Sequence, residues 1–391
     1  MDTFALSDLC SIQSGGTPSR GNELYWGGNV PWAKISDLEK AGDGFISDTE
    51  ERITEEGLKA IRSRIFDTGT LLFAMYGSVG KTAVVKGEVS TNQAILGIKP
   101  LNDKLDLTYL MYWLRSQQRV FERDAQGVAQ KNLSTGYVRD LRIPLPPLTE
   151  QKRIAAILDK ADAIRRKRQQ AIQLADEFLR AVFLDMFGDP VTNPKGWDEA
   201  ILIDVADIRS GVTKGKKIDP TTAVTLPYMR VANVQDGFLS LEDIQEITVS
   251  PADAEKCKLM AGDILLTEGG DPDKLGRGHV WNDEVPNCIH QNHIFSLRVT
   301  DPSLIRPEFL SAQIASQRGK RYFLKVGKQT TGIATINKTV LSEFEPFIPP
   351  IEIQDRYIRI ANVIRELKAK SPVANMGVFE SLSQKAFSRE L

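Results

Sequence analysis

Three stretches of the sequence carry residue types used in catalysis or metal binding. Gly77-Ser78-Val79-Gly80-Lys81-Thr82 resembles a phosphate loop, but the full pattern needs its first glycine where Met75 stands. A phosphate loop must also open a helix, whereas Ala83-Val84-Val85 before Lys86-Gly87 reads as strand and turn. The three histidines, His279, His290 and His293, lie close together, and with Cys288 the last two spell Cys-x-His-x-x-His. That spacing matches no structural zinc pattern and no Cys-x-x-Cys pair accompanies it. Packing, contact with bases or phosphates through Gln291, Asn292 and His293, and a metal peculiar to one half are the readings open to it; no metal is expected. Methyl transfer would call for a glycine-rich cofactor loop and an Asn/Asp-Pro-Pro-aromatic clamp, and the two Pro-Pro pairs, Pro146-Pro147 and Pro349-Pro350, have neither flank. Asp271-Pro272-Asp273-Lys274 lacks the Glu-x-Lys that would complete a nuclease metal site. Nor does any Ser/His/Asp order stand out. The chain is expected to catalyse nothing and to bind no cofactor itself.

Other residues suit nucleic acid better. Lys plus Arg is 50 against Asp plus Glu 51, so any such site must be a local patch. Ser14-Gly15-Gly16-Thr17-Pro18-Ser19-Arg20 and Ser210-Gly211-Val212-Thr213-Lys214-Gly215-Lys216-Lys217 are loops of hydroxyls and cations, which suit phosphate oxygens. Gln130-Lys131-Asn132 and Gln329-Thr330-Thr331, the latter preceded by Lys328, lie in glycine-flanked segments, and amide side chains can read base edges. Lys34, Ser78, Lys81, Arg230, Lys274, Arg277, Asn292 and His293 complete the candidate DNA-contacting set. A solvated surface turn is the competing reading for any one of them, and it is the usual explanation for the run Arg165-Arg166-Lys167-Arg168.

Equivalent loops imply equivalent scaffolds, and the chain is a duplication with a period of roughly 200 residues, too long for a solenoid. Leu6–Gly15 lies over Leu202–Gly211 with half of the positions identical, and Pro31-Trp32-Ala33-Lys34-Ile35 over Pro227-Tyr228-Met229-Arg230-Val231. Leu145-Pro146-Pro147-Leu148 meets Ile348-Pro349-Pro350-Ile351, and Val182-Phe183 meets Ala386-Phe387. Each half opens with short apolar runs such as Thr70–Met75 and Ile264–Thr267 between turn residues, and helical stretches appear too, notably Leu107–Arg123 in the first half. The fold class is therefore α+β. A long helix is predicted from an N-cap at Thr149 to Phe187, stopped by Gly188-Asp189-Pro190. Its apolar residues, among them Ile157, Leu158, Ile164, Ile172, Phe178 and Leu179, form a seam for a partner helix carrying Ile353, Tyr357, Ile360, Ile364 and Leu367. The expected arrangement is an antiparallel pair joining two related domains, the alternative being that each helix packs on its own domain. Pro372 and Gly377 predict a break in the second helix. The domains read as 1–148 and 188–350 for recognition, with helical segments 149–187 and 351–391.

Ser14–Arg20 with Tyr25–Leu38, Pro144–Asp159 (PLPPLTEQKRIAAILD) and the helix ending Ala181–Pro190 (AVFLDMFGDP) resemble the specificity subunits of type I restriction-modification systems over the full chain. The second half keeps Gln354 of the Glu150-Gln151 signature but has Ile353 in place of the glutamate. The resemblance implies two target recognition domains, each reading half of a split, asymmetric double-stranded DNA target, and helices that dock two methyltransferase subunits, with Ile157, Leu158, Ile164, Ile172, Phe178, Leu179, Ile360, Ile364 and Leu367 as contacts. It implies S-adenosylmethionine on the methyltransferase subunits, and ATP and magnesium on restriction or motor subunits. A recognition tail of a fused restriction-methylation enzyme and a structural helical linker are the alternatives. The 149–187 helix would span roughly 58 Å, an upper bound of about 17 base pairs on the spacer between half-sites. No apolar run reaches the ~18 residues that span a bilayer, Met1-Asp2-Thr3 opens no signal peptide, and three scattered cysteines suit a reducing compartment; a cytoplasmic protein is expected.

Overall fold

A computed structural model describes residues 2–42, 44–125, 132–215, 218–270, 275–330, 333–370 and 376–388. The chain forms two compact units, Met1–Gln170 with Pro372–Leu391, and Ala171–Ser371. The sequence division treats the helices as bodies of their own; the observed grouping shares the long helix between the units and places the last helix in the first.

In the first unit, β1 (Cys10–Ser14), β2 (Trp26–Ala33), α1 (Ile35–Ala41), β3 (Phe45–Ile46), β4 (Glu51–Ile53), β5 (Phe66–Asp67), β6 (Leu71–Ala74), β7 (Thr82–Val85), β8 (Glu88–Thr91) and β9 (Ile95–Pro100) precede α2 (Leu107–Ser116), α3 (Gln118–Asp124) and α4 (Leu148–Phe187). They make a sheet of order β1-β9-β6-β7-β3 and a second of order β4-β2-β8-β5. Central strand β6 is buried on both faces: Leu71 and Phe73 join the core under the helices, and Leu72 and Ala74 a second core with Leu38 and Phe66. An apolar run without alternation follows from that double burial.

The second unit repeats the plan. Here β10 (Ala206–Ser210), β11 (Val224–Met229), β12 (Gln245–Val249), β13 (Ile264–Thr267), β14 (Gly269–Gly270), β15 (Gly278–Val280), β16 (Ile289–His290) and β17 (Ile294–Val299) lead to α5 (Pro307–Ala315), α6 (Gln317–Val326), β18 (Lys328–Thr330), β19 (Ile333–Thr335), α7 (Ile351–Lys370) and, returning to the first unit, α8 (Met376–Ser388). The sheet orders are β10-β17-β13-β15, β12-β11-β16 and β14-β19-β18. Two parallel pairings are equivalent, Trp32↔Ser90 in one unit and Tyr228↔Ile289 in the other.

Two helical expectations need correction. The helix over Leu107–Arg123 is two helices, because the Ser116 hydroxyl bonds back to the Trp113 carbonyl at 2.6 Å and Gln117 leaves helical geometry. Ser316 makes the same break in the second unit, capping α6 from the Arg318 amide. The long helix begins at Leu148, directly after Pro147, so Thr149 lies in its first turn and is no cap.

Antiparallel helix pairing is present inside each unit. In the second, the Phe183 ring lies 5.4 Å from Tyr357, and Lys368 Nζ 2.6 Å from Asp176. In the first, Arg165 reaches over the Phe379 ring, and Ala386 and Phe387 share a core with Ile154 and Leu158. The two helix ends play equivalent parts: Phe183 packs on Phe309, and Phe387 on Tyr109. Between the α7 and α8 spans falls Pro372, with Gly377 in the first turn of α8. Arg165 and Arg166 do not simply face water, because both ion-pair with the buried Asp162, which Arg115 also approaches.

One amide per unit fixes each helix to its sheets. Gln151 is fully buried; its Oε1 accepts from the Asp106 amide at 2.8 Å and its Nε2 donates to Lys104 and Pro146 carbonyls. Gln354 does the same with the Arg306 amide and the Leu304 and Pro349 carbonyls. Substituting Gln354→Leu strands those three backbone groups, and a loss of about 3 kcal/mol is expected in urea unfolding of the second unit, with faster hydrogen exchange at the Arg306 amide.

Candidate nucleic-acid interface

Both hydroxyl-rich loops spring from the same steric node. After β1, the Gly15 amide donates to the Ile95 carbonyl at 3.0 Å and the Gly16 amide to Thr91 at 2.8 Å. After β10, the Val212 amide donates to His290 at 2.8 Å, and Asn292 donates back to Val212 at 3.0 Å. A Cβ on Gly15 would lie 2.1 Å from Thr91 Oγ1, and one on Gly211 2.1 Å from the His290 carbonyl oxygen. Only glycine lets these backbones cross so closely.

Beyond the node the loops fold onto aromatic residues. Thr17 hydrogen-bonds Gln93, the Ser19 carbonyl accepts from Trp26 Nε1, and buried Trp32 Nε1 donates to Gly16. Arg20 stacks 3.9 Å above Trp26 and pairs with Glu51. In the second unit Thr213 and Lys214 are exposed, and Lys214 Nζ stands 5.1 Å from the Tyr228 ring centre. A cavity of about 350 Å³ opens there, lined by Thr213, Lys214, Tyr228, Gln245 and Thr248. Lys216 and Lys217 lie outside the described residues.

The strand after each loop ends in a capped cation. The Lys34 amide donates to Asp37 Oδ2 at 2.8 Å, and the Arg230 amide to Asn233 Oδ1 at 2.9 Å. Lys34 Nζ is 2.6 Å from Glu51 and 3.7 Å from Glu50; Arg230 pairs with Asp243 at 2.5 Å. The Glu51 hydrogen bond raises the Lys34 pKa, and that from Arg230 holds Asp243 below the usual carboxylate range.

A hairpin turn supplies the third element. Gly77–Lys81 joins β6 to β7, so strand, turn and strand occupy the place where a phosphate loop would need a helix. Gly80, at φ +85°, lies against Phe121, and Gly276, at φ +70°, against Phe323. The next residues are the cations Lys81, exposed, and Arg277, whose Nη1 lies 3.3 Å from Gln235 Oε1 and whose Nε is buried without a partner among the described residues. Ser78 bonds Glu39 on α1. Beside each turn runs a candidate reading segment. Leu133 donates to Met75, and Asn132 bridges Tyr76; Ile336 donates to Glu268, and β19 pairs with β14 and β18. Lys328–Thr330 form β18, while Gln130, Lys131, Lys274 and Thr331 lie outside the described residues.

Comparison with known proteins settles the family. The profile described as the type I restriction modification DNA specificity domain matches residues 1–174 and again 194–371. The chain belongs to this specificity-domain family. Among curated relatives, the MjaIX specificity subunit of Methanocaldococcus jannaschii is 27% identical over 252 residues, 60% of this chain and 58% of that protein. The EcoBI specificity subunit of Escherichia coli is 22% identical over 317 residues, 74% of this chain and 65% of its own length. These matches thus span under two thirds of either relative. The crystal structure of the S subunit of a type I restriction-modification system from M. genitalium superposes with a TM-score of 0.57 at 14% identity, covering 99% of this chain and 96% of that one, a likeness of fold.

All three histidines fall in the second specificity domain. His293 pairs with Glu268 at 2.8 Å, and buried His290 takes the Cys257 carbonyl at 3.0 Å through Nδ1. Among the described residues no group of three metal-ligating side chains converges. Burial pulls both His290 and His279 down to about 4. Glu51, Asp243, Trp26, Gln245 and Thr248 escape sequence reading, since only strand pairing brings them to the cations.

A folded-state pKa below the unfolded value means that the unfolded chain binds protons first as pH falls. His290 therefore destabilises the second domain progressively from pH ~6.5 to ~4, by about 3 kcal/mol at the lower end. Urea unfolding followed across that window should show the second domain weakening, with a flatter pH dependence in His290→Gln.

Proposed function

We propose that this chain is the DNA-recognition subunit of a type I restriction-modification complex, its two specificity domains each reading one half of a bipartite, non-palindromic duplex target. The duplicated interface carries this reading: node glycine, hydroxyl-rich loop, capped cation and hairpin cation recur on one frame, while their occupants differ. Lys34 answers to Arg230 and Lys81 to Arg277, over a buried Trp32 in one domain and a buried Tyr228 in the other, so one geometry presents different cations to each half-site. Recognition, with no bond made or broken, is the chain's contribution.

The helices are the proposed dock for two methyltransferase subunits, with restriction or motor subunits joining the complex. Ile164 is exposed on the first-unit part of α4, and Leu174, Phe178, Val363 and Leu367 on the second-unit helices. Large apolar side chains left in water suit a partner surface. Ile157, Ile172 and Ile360 are half-buried. Leu158 and Ile364 are buried, and Leu179 packs on the second core, so these three of the sequence-derived contacts serve their own units. In this reading S-adenosylmethionine sits on the methyltransferase subunits, and ATP with magnesium on the motor subunits. Among the described residues no helix is long and apolar enough to cross a membrane.

The methylome of cells expressing this chain with its methyltransferase tests the reading; two unlike half-sites around a non-specific spacer are expected, and a continuous or palindromic motif would sink it. Lys81→Met should weaken binding about equally on all duplexes and make the salt dependence shallower by about one unit of log K per log salt in gel-shift titrations.

A further inference from the structure

We propose that Glu51 and Asp243 stand in for DNA phosphate, each holding cations of its specificity domain on the protein until a duplex displaces it, and so suppress sequence-independent binding. The inference rests on the DNA-recognition reading and concerns how its contacts are restrained.

The arrangement is duplicated. In the first domain the Glu51 carboxylate takes both Arg20 and Lys34, with Glu50 3.7 Å from the same ammonium. In the second, Asp243 takes the Arg230 guanidinium through its carboxylate and, at 3.0 Å, through its own backbone carbonyl. Both acids stand at the start of the antiparallel neighbour of the strand that delivers the capped cation: Glu51 opens β4 opposite Trp32, and Asp243 lies in the turn two residues before Gln245, which opens β12 opposite Tyr228. The cation centres are thus fixed twice, by a cap at the backbone and a carboxylate at the tip. The loop cations are restrained as well, Arg20 over Trp26 and Lys214 beside Tyr228.

Each cluster opens to water on one side. Side-chain exposure is 54% for Arg20 and 70% for Asp243, against 27% for Glu51 and 25% for Arg230, and pairs with one partner in water contribute little to stability. Their effect falls on binding. A phosphate approaching loosely meets a neutralised pair and gains little. In a base-matched complex the phosphate is held at short range by its neighbours, and the exchange of carboxylate for phosphate proceeds. Removing the carboxylate charge should therefore strengthen random-sequence binding more than target binding, and the cations released should each add about one unit to the salt dependence.

The test uses the full chain assembled with its methyltransferase subunits, titrated with a scrambled duplex and with a duplex carrying the methylome-derived target, over a range of salt. Glu51→Gln and Asp243→Asn keep shape and hydrogen bonding while removing charge. Each should tighten scrambled-duplex binding about three- to tenfold at low salt and change target binding less than about twofold, with the salt dependence steeper by about two units for Glu51→Gln, which releases Arg20 and Lys34, and by about one for Asp243→Asn. Adding Lys34→Met to Glu51→Gln should take back about half of the gain, the share of one of the two released cations, which a purely structural effect would not do. Should Glu51→Gln not fold, Asp243→Asn carries the same test in the other domain. Wild-type-like or weaker scrambled binding in the folded variants overturns the carboxylate role alone. Failure of the wild-type complex to bind any duplex overturns the DNA-recognition reading itself.

Discussion

Gln151 and Gln354 sit where an amphipathic helix meets a loop whose backbone groups turn to the amide side chain. Each amide accepts one N–H and donates to two carbonyls in a site closed to water. Apolar seams tolerate sliding, since one leucine contact resembles the next. A threefold hydrogen bond in a dry pocket tolerates one register, because any slip strands buried polar groups. The start of each helix is thereby tied to the loop that leads into α2 or α5, and through them to the sheets. The direction in which the hairpins and reading segments face within a unit follows from that tie.

On this frame the two units separate geometry from chemistry. Positions that set backbone paths keep the same residue for the same reason, as at Gly15 and Gly211, or Gly80 and Gly276. Positions under and around the loops vary in kind: a tryptophan pair with a stacked arginine in one unit, a tyrosine beside a lysine and an open cavity in the other. A scaffold whose glycines and buried amides are indifferent to the loop contents can accept new contents without refolding.

Much of this is legible in the sequence, for identifiable reasons. A glycine demanded by close approach is one residue wide and leaves a mark in sequence, so the duplication could be traced through Gly15 and Gly211. The cations were found because charge is local. Their partners were not, since Glu51 meets Lys34 only through strand pairing. The strand core gave an apolar run with no alternation, because β6 and β13 are buried on both faces. The helical seam looked like a single stripe, but its residues divide among two domain cores and open surface, a division that depends on which tertiary partner each turn meets. Ser116 reads as an ordinary helix residue until its hydroxyl is seen to compete for the Trp113 carbonyl.

The return of α8 to the first unit has a consequence for the order in which the chain is made. Tyr109, Tyr112, Ile154 and Leu158 meet Phe379, Leu382, Ala386 and Phe387 in one core, and those last residues are translated after the whole of Ala171–Ser371. At ~5–20 residues per second the wait is on the order of 10–40 s. The second unit, contiguous in sequence, can close as soon as α7 leaves the ribosome. Its sibling, begun first, is finished last, and through that interval it presents an uncovered aromatic face to the chaperones of the cell.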